Sequence, residues 1–262
     1  MQGMAQFEQI LWAVNVAVGI VLLALLIARE KCRAFPAFTG YLLVNLVQAV
    51  SFYFASRRWG YPSRNMWLFG WSSQAVVTFA RALAVAELCR HMLARYQGVW
   101  ALAWRVLCGS AMLIILYSGF AGWRRWELAF PALDRSLELS IAAVIVILLL
   151  FVRYYEVVAD PVDRSLAVGF CLYSCFGAVN NTILDRYLYS YQELWIVLGM
   201  LSFLASLLLW TWALGKPQTV PRREETLLAP GIYESLAPQI NLRLRTLNER
   251  LSQFWNSAAP RR

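Results

Sequence analysis

Long, uninterrupted apolar blocks leave this chain few ways to fold. Residues 142–152 are apolar without exception, and the block 10–28 holds one polar side chain, Asn15. A helix rises 1.5 Å per residue, so about 20 residues cross roughly 30 Å of hydrocarbon. Seven blocks come near that length: 10–28, 38–56, 66–89, 99–119, 137–154, 166–184 and 194–214. Lipid offers no partner to backbone N–H and C=O groups, and none of the blocks alternates as a barrel strand would, so each is expected to be a helix. The expected fold is all-α: a polytopic membrane protein with a seven-transmembrane-helix bundle over residues 1–214.

The composition agrees. Hydrophobic residues make up 60% of the 262 residues and charged residues 15%, against about 45–50% and 25% in soluble domains. That balance excludes a disordered chain, a collagenous chain and an ordinary soluble enzyme. Aromatic side chains gather at block ends: Trp59, Tyr61, Trp67 and Trp71, then Trp123 and Trp126, then Tyr187, Tyr189, Tyr191 and Trp195. Rings with one wet and one apolar side favour the membrane interface.

The net charge is +9, carried almost entirely by arginine, with Lys31 and Lys216 the two lysines. No nucleic-acid module accompanies the charge, so the lipid bilayer is the expected partner and nucleic acid is not. Met1–Gln9 has no basic residue ahead of the first block, and no small-residue cleavage site follows it; a secretory signal is not expected. Basic residues at 29–37, 90–98 and 153–165 and in the tail place those segments in the cytoplasm. The N-terminus is then outside and the C-terminus inside a bacterial cytoplasmic (inner) membrane. The five cysteines are odd in number and lie mostly within apolar blocks, which suits small buried hydrophobes rather than disulfides.

After residue 214 the character changes. Pro217, Pro221, Pro230 and Pro238 punctuate a cytoplasmic linker over 215–238. Within 239–262, Ile240, Leu244, Leu247, Leu251, Phe254 and Trp255 recur at helical spacing, with Arg243 and Arg250 flanking the stripe. Such an amphipathic helix lies on the membrane surface or docks on a protein partner, and periodicity does not separate the two.

The inventory for catalysis is thin. His91 is the single histidine, which excludes a bis-histidine haem and a multi-histidine zinc hydrolase. No nucleophile elbow and no phosphate-cradling glycine loop is present. No catalytic residue, metal site or cofactor is therefore expected. Polar groups inside the membrane carry more information, because each is costly there. Gln74, Thr78 and Arg81 share one face of the third block. Either they line a ligand site, with Arg81 on an anionic group, or Arg81 snorkels or pairs with an acid to lock the bundle. Asn180, Asn181, Asp185 and Glu193, with Glu138 at the start of the fifth block, form either a second candidate ligand site at the outer mouth or an ordinary helix–loop–helix corner with an aromatic belt. Asn15, Asn45 and Gln48 read as hydrogen-bonding glue between helices, and Glu87, Arg90 and His91 as an interfacial ion-pair patch.

Seven helices, an outside N-terminus and a cytoplasmic amphipathic tail resemble stand-alone bacterial seven-helix membrane proteins. In architecture the chain is also similar to the seven-helix sensor regions of bacterial histidine kinases and cyclases, although no kinase or cyclase domain follows residue 214. The resemblance implies a non-enzymatic sensor or scaffold that binds a small ligand or lipid and couples to a partner through its cytoplasmic tail. Two further functions stay open: a small-solute transporter or channel with a polar path along the third block, and an accessory subunit of a larger membrane complex.

Overall fold

The computed structural model describes residues 2–60, 63–93, 104–105, 108–109, 112–113, 116, 126–154, 160–186, 192–216, 246, 249–250 and 253. Among the described residues the chain is all-helical, with no strand. Six long helices follow in order: α1 (Gln2–Ala28), α2 (Pro36–Trp59), α3 (Arg64–Leu93), α4 (Trp126–Tyr154), α5 (Pro161–Arg186) and α6 (Gln192–Gly215). Five of them, all but α3, are long and apolar enough to cross a membrane.

The third block does form a long helix, but Ser72, Ser73, Gln74, Thr78 and Arg81 interrupt its apolar character. It tolerates them because it packs between α2 and α4 and reaches α5, where Thr78 and Arg81 are fully buried. The fifth block begins earlier than its apolar run suggests, at Trp126 rather than 137, because the helix continues through Asp134 and Glu138. Of the expected fourth span, 99–119, only Trp104, Arg105, Cys108, Gly109, Met112, Leu113 and Leu116 are described, and all are helical. The linker 215–238 lies outside the described residues beyond Lys216, as do Ile240, Arg243, Leu244, Leu247, Leu251, Phe254 and Trp255; Arg250 is helical and exposed.

The helices form a closed ring. Each neighbours the next in the order described, α6 closes on α1, and α5 also reaches inward to α3. Specific contacts set the directions. Trp12 stacks on Tyr53 at 5.8 Å and Gly19 meets Leu46, so α1 and α2 are antiparallel. Phe38 lies at Glu87, and Gln48 at Ser73 and Gln74, so α2 and α3 are antiparallel. Trp210 pairs with Leu166 and Phe203 with Tyr173, so α5 and α6 are antiparallel. Two pairs depart from this pattern. Asn15 donates to the Met200 carbonyl, and the Arg29 guanidinium donates to the Gly215 and Lys216 carbonyls, each at 2.7 Å; α1 and α6 therefore run in parallel. Thr78 meets Asp134 and Arg81 meets Glu138, so α3 and α4 are parallel too.

The core is aromatic where α2, α5 and α6 meet. Phe170 and Trp210 lie 4.8 Å apart, with Phe38 at 5.2 Å from Trp210 and Tyr41 at 5.7 Å from Phe170. All four are essentially inaccessible. Gly169 makes this crossing close: a Cβ there would collide with the Trp210 indole. Its bare backbone also lets Ser206 donate to the Gly169 carbonyl at 2.9 Å. The outside of the ring is apolar. Phe54 and Ile147 are each 65% exposed and Trp212 58%, a surface suited to hydrocarbon rather than water.

Two helix ends are closed by side chains from other elements. The Glu87 carboxylate accepts from the N–H groups of Ala37 (3.1 Å) and Phe38 (2.9 Å), capping the start of α2. This satisfies two orphan donors and places a negative charge at the positive end of the helix dipole. The expected patch of Glu87, Arg90 and His91 is thus divided: Glu87 serves α2, while His91 packs on Phe35 with ring centroids 4.9 Å apart. At the other closure, Arg29 serves the last carbonyls of α6.

Candidate functional site

A buried polar network holds α3, α4 and α5 together. Arg81 and Thr78 lie one turn apart on α3, and Asp134 and Glu138 one turn apart on α4. The 3.6-residue period puts each pair on one face, and the parallel packing brings the faces into register. Arg81 Nη2 donates to Glu138 Oε1 at 2.6 Å, with both side chains almost wholly buried. Thr78 Oγ1 donates to Asp134 Oδ1 at 2.6 Å. Arg81 Nη2 also reaches Thr78 Oγ1, at 3.4 Å. Gly177 on α5 admits this pair, since a Cβ there would run into the Glu138 carboxylate. On the α5 side the Tyr173 ring lies 4.8 Å from the Arg81 guanidinium carbon, close enough for a cation–π contact.

The network is not saturated. Arg81 Nε and Nη1, Tyr41 Oη and Ser174 Oγ are buried with no hydrogen-bond partner. Removing such groups from water without replacement costs free energy. They leave this centre with unmet capacity that a rearrangement or a small guest can satisfy.

Beside the network lies a cavity of about 1020 Å³ among α1, α2, α5 and α6. It extends from Glu8 and Arg57 to Gly19 and Leu42. Fifteen residues of α2 separate Arg57 from Leu42, about 22 Å of depth at the helical rise. Near its rim stand Trp12, Phe52 and Tyr53. Arg57 donates to Tyr53 Oη at 3.1 Å and lies over the same ring. Deeper lies a polar band of Asn15, Gln48 and Asn45, with Leu46 within it and Leu42 at the far end. Tyr173 belongs to the cavity wall and to the Arg81 contact alike.

The residues singled out from sequence fall into separate places. Thr78 and Arg81 join Glu138 in the buried network. Gln74 lies one turn further along α3 and accepts from Gln48 Nε2 at 3.3 Å. Glu138 lies about three turns inside α4, not at its start, and its partner is Arg81. Asn180, Asn181 and Asp185 lie on the last two turns of α5 and Glu193 on the first turn of α6, with side chains outside the described residues. Asp134, Tyr41, Tyr173 and Ser174 did not stand out in the sequence. The signal for Asp134 was its i, i+4 spacing to Glu138, hidden by reading the apolar run as beginning after it. Cys171 and Cys175 bring their sulfurs to 3.8 Å on one face of α5, and among the described residues no three His, Cys, Asp or Glu side chains cluster as a metal site.

Compared with known proteins, the chain matches no family model, no curated protein and no solved structure.

Proposed function

We propose that the chain is a seven-helix sensor of a bacterial inner membrane, with its N-terminus outside and its C-terminus in the cytoplasm. A ligand enters the cavity from outside, biases the packing of α3 against α4 and α5, and the change reaches a partner through the C-terminal helix. The protein does this without catalysis, metal or cofactor.

The seven crossings are supported by parity. Six antiparallel helices would leave α1 and α6 running opposite ways, yet they run in parallel, as do α3 and α4. A further pass between Leu93 and Trp126 reconciles both observations and coincides with the apolar block 99–119. With it, α3 becomes a spanning helix as well, its polar groups paid for by the network. Arginine-rich, lysine-poor loops suit a bacterial membrane protein, and the architecture resembles the sensor regions of histidine kinases.

The observation that carries the sensor reading is the double membership of Tyr173. One ring forms cavity wall and covers the buried arginine. A ligand that displaces the ring changes the surroundings of an ion pair whose strength depends on its dry environment. Transport is the weaker reading, because the tightly packed Phe38, Tyr41, Phe170 and Trp210 fill the bundle near the Leu42 end of the cavity.

Two measurements test it. Single cysteines placed at Gln2 and Lys216 in a cysteine-free background should label from opposite faces of the membrane; labelling from one face refutes seven crossings. In the host, a chain lacking 238–262 should behave as a deletion of the whole gene while still inserting. Wild-type behaviour from the truncated chain refutes the tail as the output.

A further inference from the structure

From the chemistry of its wall we infer that the cavity among α1, α2, α5 and α6 takes an uncharged amphiphile with a hydroxyl head, which donates hydrogen bonds to a band of amide oxygens. This inference rests on the sensor reading and names the ligand class of its site.

Two of the amides, Asn15 and Gln48, have spent their donors. Asn15 Nδ2 is spent on two carbonyls, Leu11 at 2.9 Å and Met200 at 3.3 Å. Those two acceptors also fix which end of the amide is nitrogen, since the reverse orientation would set oxygen against oxygen. Asn15 Oδ1 is left buried with no partner. Gln48 repeats the arrangement: Nε2 donates to Ser73 Oγ (3.2 Å) and Gln74 Oε1 (3.3 Å), so what Gln48 offers the cavity is its oxygen. Gln48 on α2 therefore presents an acceptor, and at about the same depth on α1 Asn15 Oδ1 holds an unmet one just behind the cavity wall. Asn45, one turn from Gln48, completes the band.

Charge decides the rest. Glu8 and Arg57 stand at the rim, and among the described residues no charged side chain lines the cavity below them. An anion would face amide oxygens with no cation to balance it. A cation would be desolvated with no acid beside it, because Glu138 is engaged by Arg81. A hydroxyl meets neither cost and satisfies the acceptors. The apolar body of the ligand then has aromatic walls at Trp12, Phe52 and Phe203 to lie against. The chemistry is shared by alcohols resident in the membrane and by short-chain alcohols arriving through water.

The test uses the full chain in nanodiscs, with thermal unfolding followed as 1-dodecanol, dodecanoate or dodecyltrimethylammonium is added. At saturation dodecanol should raise the midpoint by about 5 °C, and the two charged probes should bind about tenfold or more weakly. Ala49→Trp, which sets an indole in the cavity beside the amide band, should abolish the dodecanol effect. Asn45→Leu, which keeps volume and removes the amide, should weaken it about tenfold. A second arm with 1,2-hexanediol identifies the source: a comparable effect points to a water-borne ligand, an effect confined to dodecanol to a membrane-borne one. Tighter binding of a charged probe that Ala49→Trp still blocks overturns the hydroxyl class and leaves the sensor reading standing. An undiminished dodecanol effect in Ala49→Trp overturns the site. A wild-type chain that responds to none of the probes overturns both.

Discussion

The two halves of the ring handle buried polarity in opposite ways. Between α3, α4 and α5 the polar groups meet one another: arginine to glutamate, threonine to aspartate, with helix packing closed over them by Gly177. Between α1, α2 and α6 the polar groups are tied to backbone carbonyls or to side chains of α3, and open space remains beside them. The first half behaves as a lock and the second as a receptacle. The lesson is that polarity inside an apolar bundle does not by itself mark a binding site. What separates the two is whether the partner is already present.

The largest effects should come from breaking the lock. Arg81→Leu takes the arginine from the buried Glu138 carboxylate, and should cost about 3–5 kcal/mol. Denaturation in micelles or nanodiscs would measure it. The double variant Arg81→Leu/Glu138→Leu should be more stable than Arg81→Leu alone, because the buried carboxylate that lost its arginine is gone as well. A double variant less stable than the single one would show that the contact itself, rather than the stranded charge, dominates. Next in size is the α5–α6 crossing beneath both halves. Gly169→Ala drives a methyl into the Trp210 indole, and should cost about 1–3 kcal/mol with a blue or red shift in tryptophan emission. Glu87→Ala removes the cap on α2 and should cost about 1 kcal/mol, seen as faster amide exchange at Ala37 and Phe38. The smallest change belongs to the receptacle. Asn45→Leu should leave unliganded stability within about 0.5 kcal/mol of wild type. A penalty near that of Arg81→Leu would erase the distinction between the halves.

How far the sequence could be read depends on the kind of interaction. Helix positions were legible where the hydrocarbon run set them, as over 194–214 and at the Ala28 end of α1, because a single requirement, a lipid-compatible surface, acts on every residue; α1 itself starts at Gln2, ahead of its apolar run, where helix continues without that requirement. The start of α4 was not legible. Its first four turns carry Asp134 and Glu138, and contact with α3 makes those acids acceptable in a buried helix. Arg81 announced itself as costly, but its partner did not, since 57 residues separate it from Glu138 and no local pattern joins them. Glu87 read as a member of its own helix face, whereas its role lies 50 residues back at the start of α2. The cavity had no sequence signature at all. Its polar band is built from Asn15, Asn45 and Gln48 on two helices, and each of these read singly as glue.

From the residues alone came the solvent this chain lives in and the helical state of its blocks, because both follow from how apolar side chains and backbone groups partition between water and lipid. Which helices run side by side, that α1 lies parallel to α6 and α3 to α4, and that one arginine is closed off while three amide residues line a cavity were settled only by packing. Hydrophobic partition acts on each residue separately and is indifferent to neighbours. A hydrogen bond exists only when a second group arrives at the right distance, and that arrival is decided by the fold.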